Sequence, residues 1–117
     1  MKCVVDIYAY LRIYEVMNTL EQLKLTDEDL RNLSEIFGAL SSEKRLKIVE
    51  LLSSDSYSVS QLAHLMDCTP TCVSQHLAIL RTKKIVIYEK KGQEVIYSLN
   101  MKCIFLCVGC VLDHFKR

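Results

Sequence analysis

With 117 residues, half of them hydrophobic, three glycines and one proline, the chain suits one folded domain and is too apolar to be disordered. Fifteen basic and fourteen acidic side chains leave a net charge of +1, which excludes a uniformly basic or acidic protein but hides an asymmetry: residues 1–40 hold four basic and seven acidic groups, residues 69–102 six basic and two acidic. Six cysteines with no basic-then-apolar leader read as reduced thiols of a cytoplasmic protein, not a secreted disulfide framework, and the longest uncharged apolar run, Cys103 to Leu112, falls well short of the ~20 residues that span a bilayer.

In chain order, Val5, Tyr8, Ile13, Val16, Met17, Leu20 and Leu23 mostly suit one helical face between Val4 and Leu23, although Val4 to Tyr8 also has strand character. Thr26 followed by Asp27, Glu28 and Asp29 is a helix start, with acids placed to complement the dipole. Leu30, Leu33, Phe37 and Leu40 then form a stripe predicted to be buried. Two amphipathic helices here exceed what one small core needs, so their spare apolar surface is expected to meet a second copy. Ser41 or Ser42 caps the next helix, with Leu46, Val49 and either Leu51 or Leu52 inward and Glu43, Lys44, Lys47 and Glu50 wet.

Residues 53–56 are a polar loop, after which Val59, Leu62, Ala63 and Met66 recur at helical spacing behind a Ser58 or Ser60 cap. The pattern breaks at Asp67 and Cys68, and a second helix begins with Thr69 as cap and Pro70 in the first turn, where a missing N–H costs nothing. Val73, Leu77 and Leu80 fall on one stripe of that helix; Thr71, Ser74, Gln75 and Ala78 gather opposite. Two helices joined by so few residues make a helix-turn-helix over 58–81. The second face is small, polar and uncharged, which suits DNA base edges and phosphates better than mere solubility.

Beyond Arg81 the period changes. Residues 85–89 and 94–99 are β-branched and aromatic runs around Lys90, Lys91, Gly92 and Gln93, a two-stranded hairpin with glycine at its turn. Lys90 and Lys91 at the tip of this wing, residues 85–99, are placed for phosphate, which adds affinity without sequence information. Asn100 is the expected cap of a last helix over 101–115. The fold expected is mostly α with a β-hairpin wing, a single winged helix-turn-helix domain with an N-terminal helical extension over 1–25.

On that last helix Cys103, Cys107, Cys110 and His114 are spaced 4, 3 and 4, so they share one stripe. Three thiolates and an imidazole suit arsenite, zinc or cadmium; the same spacing also suits a helix seam in which cysteine is a small hydrophobe. Cys107 and Cys110 form a CxxC, which invites a redox reading. Cys68 in the turn and Cys72 on the flank of the reading helix are expected to fill the core, Cys3 to stand apart near the chain end, His76 to be a hydrogen-bonded edge residue and His64 to face solvent.

Four stretches together, FGALSSEKRLKI from Phe37, Leu62-Ala63, VSQHLAILR from Val73 and KGQEVIYSL from Lys91, resemble the ArsR/SmtB family of winged-helix repressors between about Leu33 and Asn100. The resemblance implies a homodimer joined through its first and last helices, bound to an inverted-repeat operator in double-stranded DNA and released by a metal ion or a thiol-reactive signal. It also exposes departures. The family's Cys-Val-Cys metal pattern is replaced by Ser58, Val59 and Ser60, and its zinc pattern on the last helix aligns with Met101, Cys103, His114 and Arg117.

The leading expectation is therefore a DNA-binding repressor released by a soft ion on Cys103, Cys107, Cys110 and His114. The alternatives are oxidant or reactive-sulfur sensing through the same cysteines, or a winged-helix module that binds protein. Enzyme activity is not expected, since Cys72 and His76 have neither an orienting carboxylate nor a glycine-rich oxyanion loop.

Overall fold

The computed structural model describes residues 24–116, so the helix read over Val4 to Leu23, and Cys3, lie outside the described residues. Two compact units divide the chain, residues 1–32 and 33–117. In the first, Thr26 and Asp29 cap each other: Asp29 N–H donates to Thr26 Oγ1 at 3.1 Å and Thr26 N–H to Asp29 Oδ2 at 3.0 Å. The Thr26 N–H on its carboxylate, and after it the Thr26 hydroxyl, hold the Asp29 carboxyl below the usual aspartate value. The helix they start, α1 (Asp27–Ala39), has only Ala39 buried. Leu30, Leu33 and Phe37, predicted to be buried, are exposed instead, Phe37 by 62%, and Leu40 is half-buried.

In the second unit, α2 (Glu43–Ser54) starts on Ser42, whose side chain accepts from Arg45 N–H. It buries Ile48, Val49 and Leu52, while Leu46, expected inward, is 42% exposed. Both helical phases offered aliphatic residues, and packing against the two following helices selects the one through Ile48. Next comes β1 (Tyr57–Ser58), within what the sequence reads as loop and cap. Ser58 then caps α3 (Val59–Met66) with a reciprocal box, its hydroxyl accepting from Gln61 N–H while Gln61 Oε1 accepts from Ser58 N–H at 2.8 Å. Asp67 ends α3 in the left-handed region, φ 52°, a conformation that aspartate tolerates better than most residues.

The second helix of the pair, α4 (Pro70–Thr82), is capped by Thr69, whose side chain accepts from Cys72 N–H. Strands β2 (Val86–Lys91) and β3 (Glu94–Leu99) pair antiparallel from Val86↔Leu99 to Lys91↔Glu94. Gly92, at φ +65°, opens the two-residue turn between them, where an L side chain would be strained. Lys90 and Lys91 thus belong to the strand rather than to a loop. The sheet also has three strands, not two: β1 joins the outer side of β3 through Tyr57↔Tyr97 and Ser58↔Ile96, giving the order β1-β3-β2.

The core is a single cluster that unites Ile48, Val49 and Leu52 of α2, Leu62 and Ala63 of α3, Val73, Leu77 and Leu80 of α4, and Ile85, Val86, Leu99 and Ile104. Burial of such side chains contributes about 1.5–3 kcal/mol each, which fixes α4 by its apolar stripe and leaves the opposite stripe outside. The last helix, α5 (Ile104–Lys116), begins later than expected. Asn100 does not cap it: Asn100 Nδ2 donates to the Lys84 carbonyl at 2.9 Å, and the Asn100 and Met101 N–H groups both donate to the Ile85 carbonyl. Those bonds tie residues 100–101 to the start of β2, so helical turns begin only when Ile104 N–H reaches the Met101 carbonyl. Among the described residues no helix is long and apolar enough to cross a membrane.

Candidate nucleic-acid interface

The outward face of α4 is set by the burial of its reverse. Val73, Leu77 and Leu80 are completely buried, and Thr71, Ser74, Gln75 and Ala78 are all exposed on α4. Thr69 and Pro70 set where the helix starts, so Thr71 stands in its first turn and Ser74 and Gln75 one turn further on. None of the three makes a hydrogen bond to another described side chain, leaving their donors and acceptors available to a ligand. Lys90 and Lys91 are exposed on β2, with no ion pair among the described residues.

Two residues of α2 brace the flank of α4. Lys44 Nζ donates to Cys72 Sγ at 3.5 Å, and Arg45 Nη1 lies 3.2 Å from His76 Nδ1 while its Nε donates to the Ala39 carbonyl. Burial, with Arg45 and then Lys44 nearby, pushes the His76 pKa below the ordinary 6.5. His76 is thus the hydrogen-bonded edge residue expected, and His64 is exposed as expected. At the other end, the Arg81 guanidinium sits 5.0 Å from the Tyr88 ring centroid, and Tyr88 and Tyr97 stand 5.8 Å apart across the strands. These rings couple the end of α4 to the wing. Sequence reasoning missed Lys44 and Arg45, which it assigned to solvent or left unassigned; their partners lie 28 and 31 residues away, beyond any local pattern.

The described cysteines divide into two groups. Cys68 and Cys72 are half-buried at the start of α4, on either side of the Thr69 cap. Partial burial first, and the Cys72 charge second, push the Cys68 pKa up from the usual thiol value. Cys103, Cys107 and Cys110 are exposed. Cys103 precedes α5 rather than lying in its first turn, and its carbonyl accepts from Leu106 and Cys107 N–H. His114, also exposed, packs edge-on to Phe115 at 5.4 Å. Among the described residues no three His, Cys, Asp or Glu side chains form a group able to hold a metal ion. The physical reason is length: Cys107 to His114 climbs about 10 Å at about 1.5 Å per residue, whereas donors on one ion with bonds of about 2.3 Å stand within about 5 Å of each other.

Comparison with known proteins agrees with this geometry. The profile of the bacterial regulatory proteins of the arsR family matches residues 42–88, from the cap of α2 into β2. A transcriptional repressor SmtB homolog of Synechocystis is 30% identical over 90 residues, covering 77% of this chain and 68% of its own. The cadmium resistance transcriptional regulatory protein CadC of Listeria innocua is 35% identical over 85 residues, covering 71% of each. Among solved structures, the homodimeric winged helix-turn-helix DNA-binding domain Mb0332 of Mycobacterium bovis superposes with a TM-score of 0.66 at 19% identity, over 80% of this chain and 91% of that one, a likeness of fold.

Proposed function

From the premise that this chain belongs to the arsR family of bacterial regulatory proteins, we propose that it is a homodimeric, DNA-binding transcriptional repressor of the cytoplasm that closes an inverted-repeat operator. One observation carries the reading: α4 is held by a fully buried stripe and turns an uncharged hydrogen-bonding stripe, Thr71, Ser74 and Gln75, to the outside. Gln75 suits a bidentate contact with adenine, and Ser74 and Thr71 suit bases or phosphate. Lys90 and Lys91 serve the backbone alongside. Exposed apolar side chains support the dimer: Phe37 on α1, and Val111, Leu112 and Phe115 on α5, the last 78% exposed. The M. bovis fold neighbour is itself a homodimer.

The signal is proposed to enter through cysteine chemistry. A soft ion such as arsenite, zinc or cadmium does not fit Cys103, Cys107, Cys110 and His114 of one chain together, so such a site requires donors from a second copy. Oxidant or reactive-sulfur chemistry at the same exposed thiols is the competing reading. Selection of bound duplexes from a random pool tests the repressor: enrichment of an inverted repeat with half-sites about 10 bp apart is expected, and a pool that stays random would favour a protein-binding winged helix. Anaerobic titration with zinc, cadmium and arsenite, beside peroxide treatment, separates ion from oxidant by which of them releases the selected duplex.

A further inference from the structure

A second group of thiols lies where DNA would be read. Cys68 sits in the turn just before the Thr69 cap, Cys72 in the first turn of α4 with its N–H on Thr69 Oγ1 at 3.1 Å, and the Lys44 ammonium reaches Cys72 Sγ at 3.5 Å from another helix. We propose that Cys68 and Cys72 are a peroxide-reactive dithiol, in which Cys72 is oxidised first and Cys68 resolves it, and that the resulting bond lowers operator affinity. The last clause rests on the repressor reading; the chemistry does not.

Three features assign the roles. The Lys44 ammonium donates to the Cys72 sulfur at 3.5 Å, which places a cation at this sulfur. Cys68 instead keeps its proton, because burial and the neighbouring Cys72 charge disfavour its thiolate. The two thiols flank the Thr69 cap only four residues apart, and the Cys72 charge is felt at Cys68, so a resolving sulfur stands near the attacking one. Cys72 thiolate attacks the O–O bond of a hydroperoxide: an S–O bond forms, the O–O bond breaks, and the departing alkoxide or hydroxide takes a proton from water. Cys68, giving up its proton, then attacks the Cys72 sulfur; S–S forms, S–O breaks and water leaves. Overall, two thiols lose two electrons and two protons to one hydroperoxide, which becomes an alcohol and water.

The bond joins the residue before the cap to the third residue of the helix. It draws on the segment that carries the Thr69 cap and Thr71, takes the thiolate from Lys44, and re-aims the start of the reading face. Thiol pairing in a disulfide requires Cα atoms about 4.4–6.8 Å apart.

The sequence supplies a direct assay, because the tryptic peptide over residues 48–81 contains Cys68 and Cys72 and no other cysteine. After hydrogen peroxide treatment of the full chain, that peptide is expected to lose two hydrogens and to refuse an alkylating reagent. Duplex affinity is expected to fall about tenfold, the worth of one good base contact, and dithiothreitol to restore both. Cys68→Ser and Cys72→Ser should remove the response, the Cys103→Ser, Cys107→Ser, Cys110→Ser protein should retain it, and Lys44→Met should slow bond formation severalfold. Two free thiols in that peptide after oxidation overturn the site, whatever the DNA does. A bonded peptide in protein with unchanged duplex affinity overturns the switch. Bond formation in protein that never bound DNA upholds the dithiol and sinks only the repressor reading.

Discussion

Arg45 and His76 meet at 3.2 Å across α2 and α4, Nη1 against Nδ1. A guanidinium has only donors, so Nδ1 accepts and the ring carries its proton on Nε2. A protonated ring would lose this bond and face two cations, Arg45 and Lys44. The folded pKa therefore lies below the 6.5 of the unfolded chain. Above about pH 6.5 the ring is neutral in both states and the stability is intact; as pH falls toward the folded value the unfolded chain gains a proton first and stability is lost. Urea midpoints measured between about pH 8 and pH 5 should fall in the wild type, and His76→Gln should flatten part of that slope.

Ser74→Ala and Gln75→Ala remove exposed groups from α4 and should leave thermal stability within about 0.5 kcal/mol. Each should weaken selected-duplex binding by about 1–3 kcal/mol where it reads a base, measured by fluorescence anisotropy. Affinity unchanged in the double variant would remove α4 from the major groove.

Lys90→Ala with Lys91→Ala should act differently. Selected and scrambled duplexes should both bind more weakly, and the slope of log K against log salt should shrink by about 0.9 for each phosphate no longer neutralised. A change confined to one sequence would mean that the wing reads bases.

Ser58→Ala breaks a buried capping box. The expected cost is about 0.5–2 kcal/mol in urea unfolding, with duplex affinity of the folded protein preserved.

Leu112→Glu and Phe115→Ser alter side chains that a single chain leaves exposed. Sedimentation should shift from dimer toward monomer while helix content holds, and duplex affinity should drop with it. A dimer indifferent to both would place the joint elsewhere.

Much of this is legible in the sequence because it is locally encoded. Thr69 and Pro70 announce α4, Ser58 announces α3, and the stripe of Val73, Leu77 and Leu80 is recovered in full. What escapes depends on distant partners. β1 is two residues long and exists through its pairing with β3; nothing local distinguishes it from a loop. Asn100 has the chemistry of a cap, yet the Lys84 carbonyl claims it, at a lysine whose φ of 60° no sequence rule announces. The inward phase of α2 stays open between Leu46 and Ile48 until other helices pack on it. Taken one at a time, Cys68 and Cys72 look like filler, although they stand only four residues apart.

The pairing of Tyr57 with Tyr97 has a wider result. It stitches the segment leading into α3 to the hairpin, while Arg81 on Tyr88 pins the far end of α4 to the same hairpin. The lysines proposed for the DNA backbone and the helix proposed to read bases are thereby joined through one hairpin. A half-site whose contacted phosphates are displaced by a single nucleotide cannot be accommodated by flexing the hairpin alone, so spacing errors within a half-site should be punished more heavily than a mismatched letter.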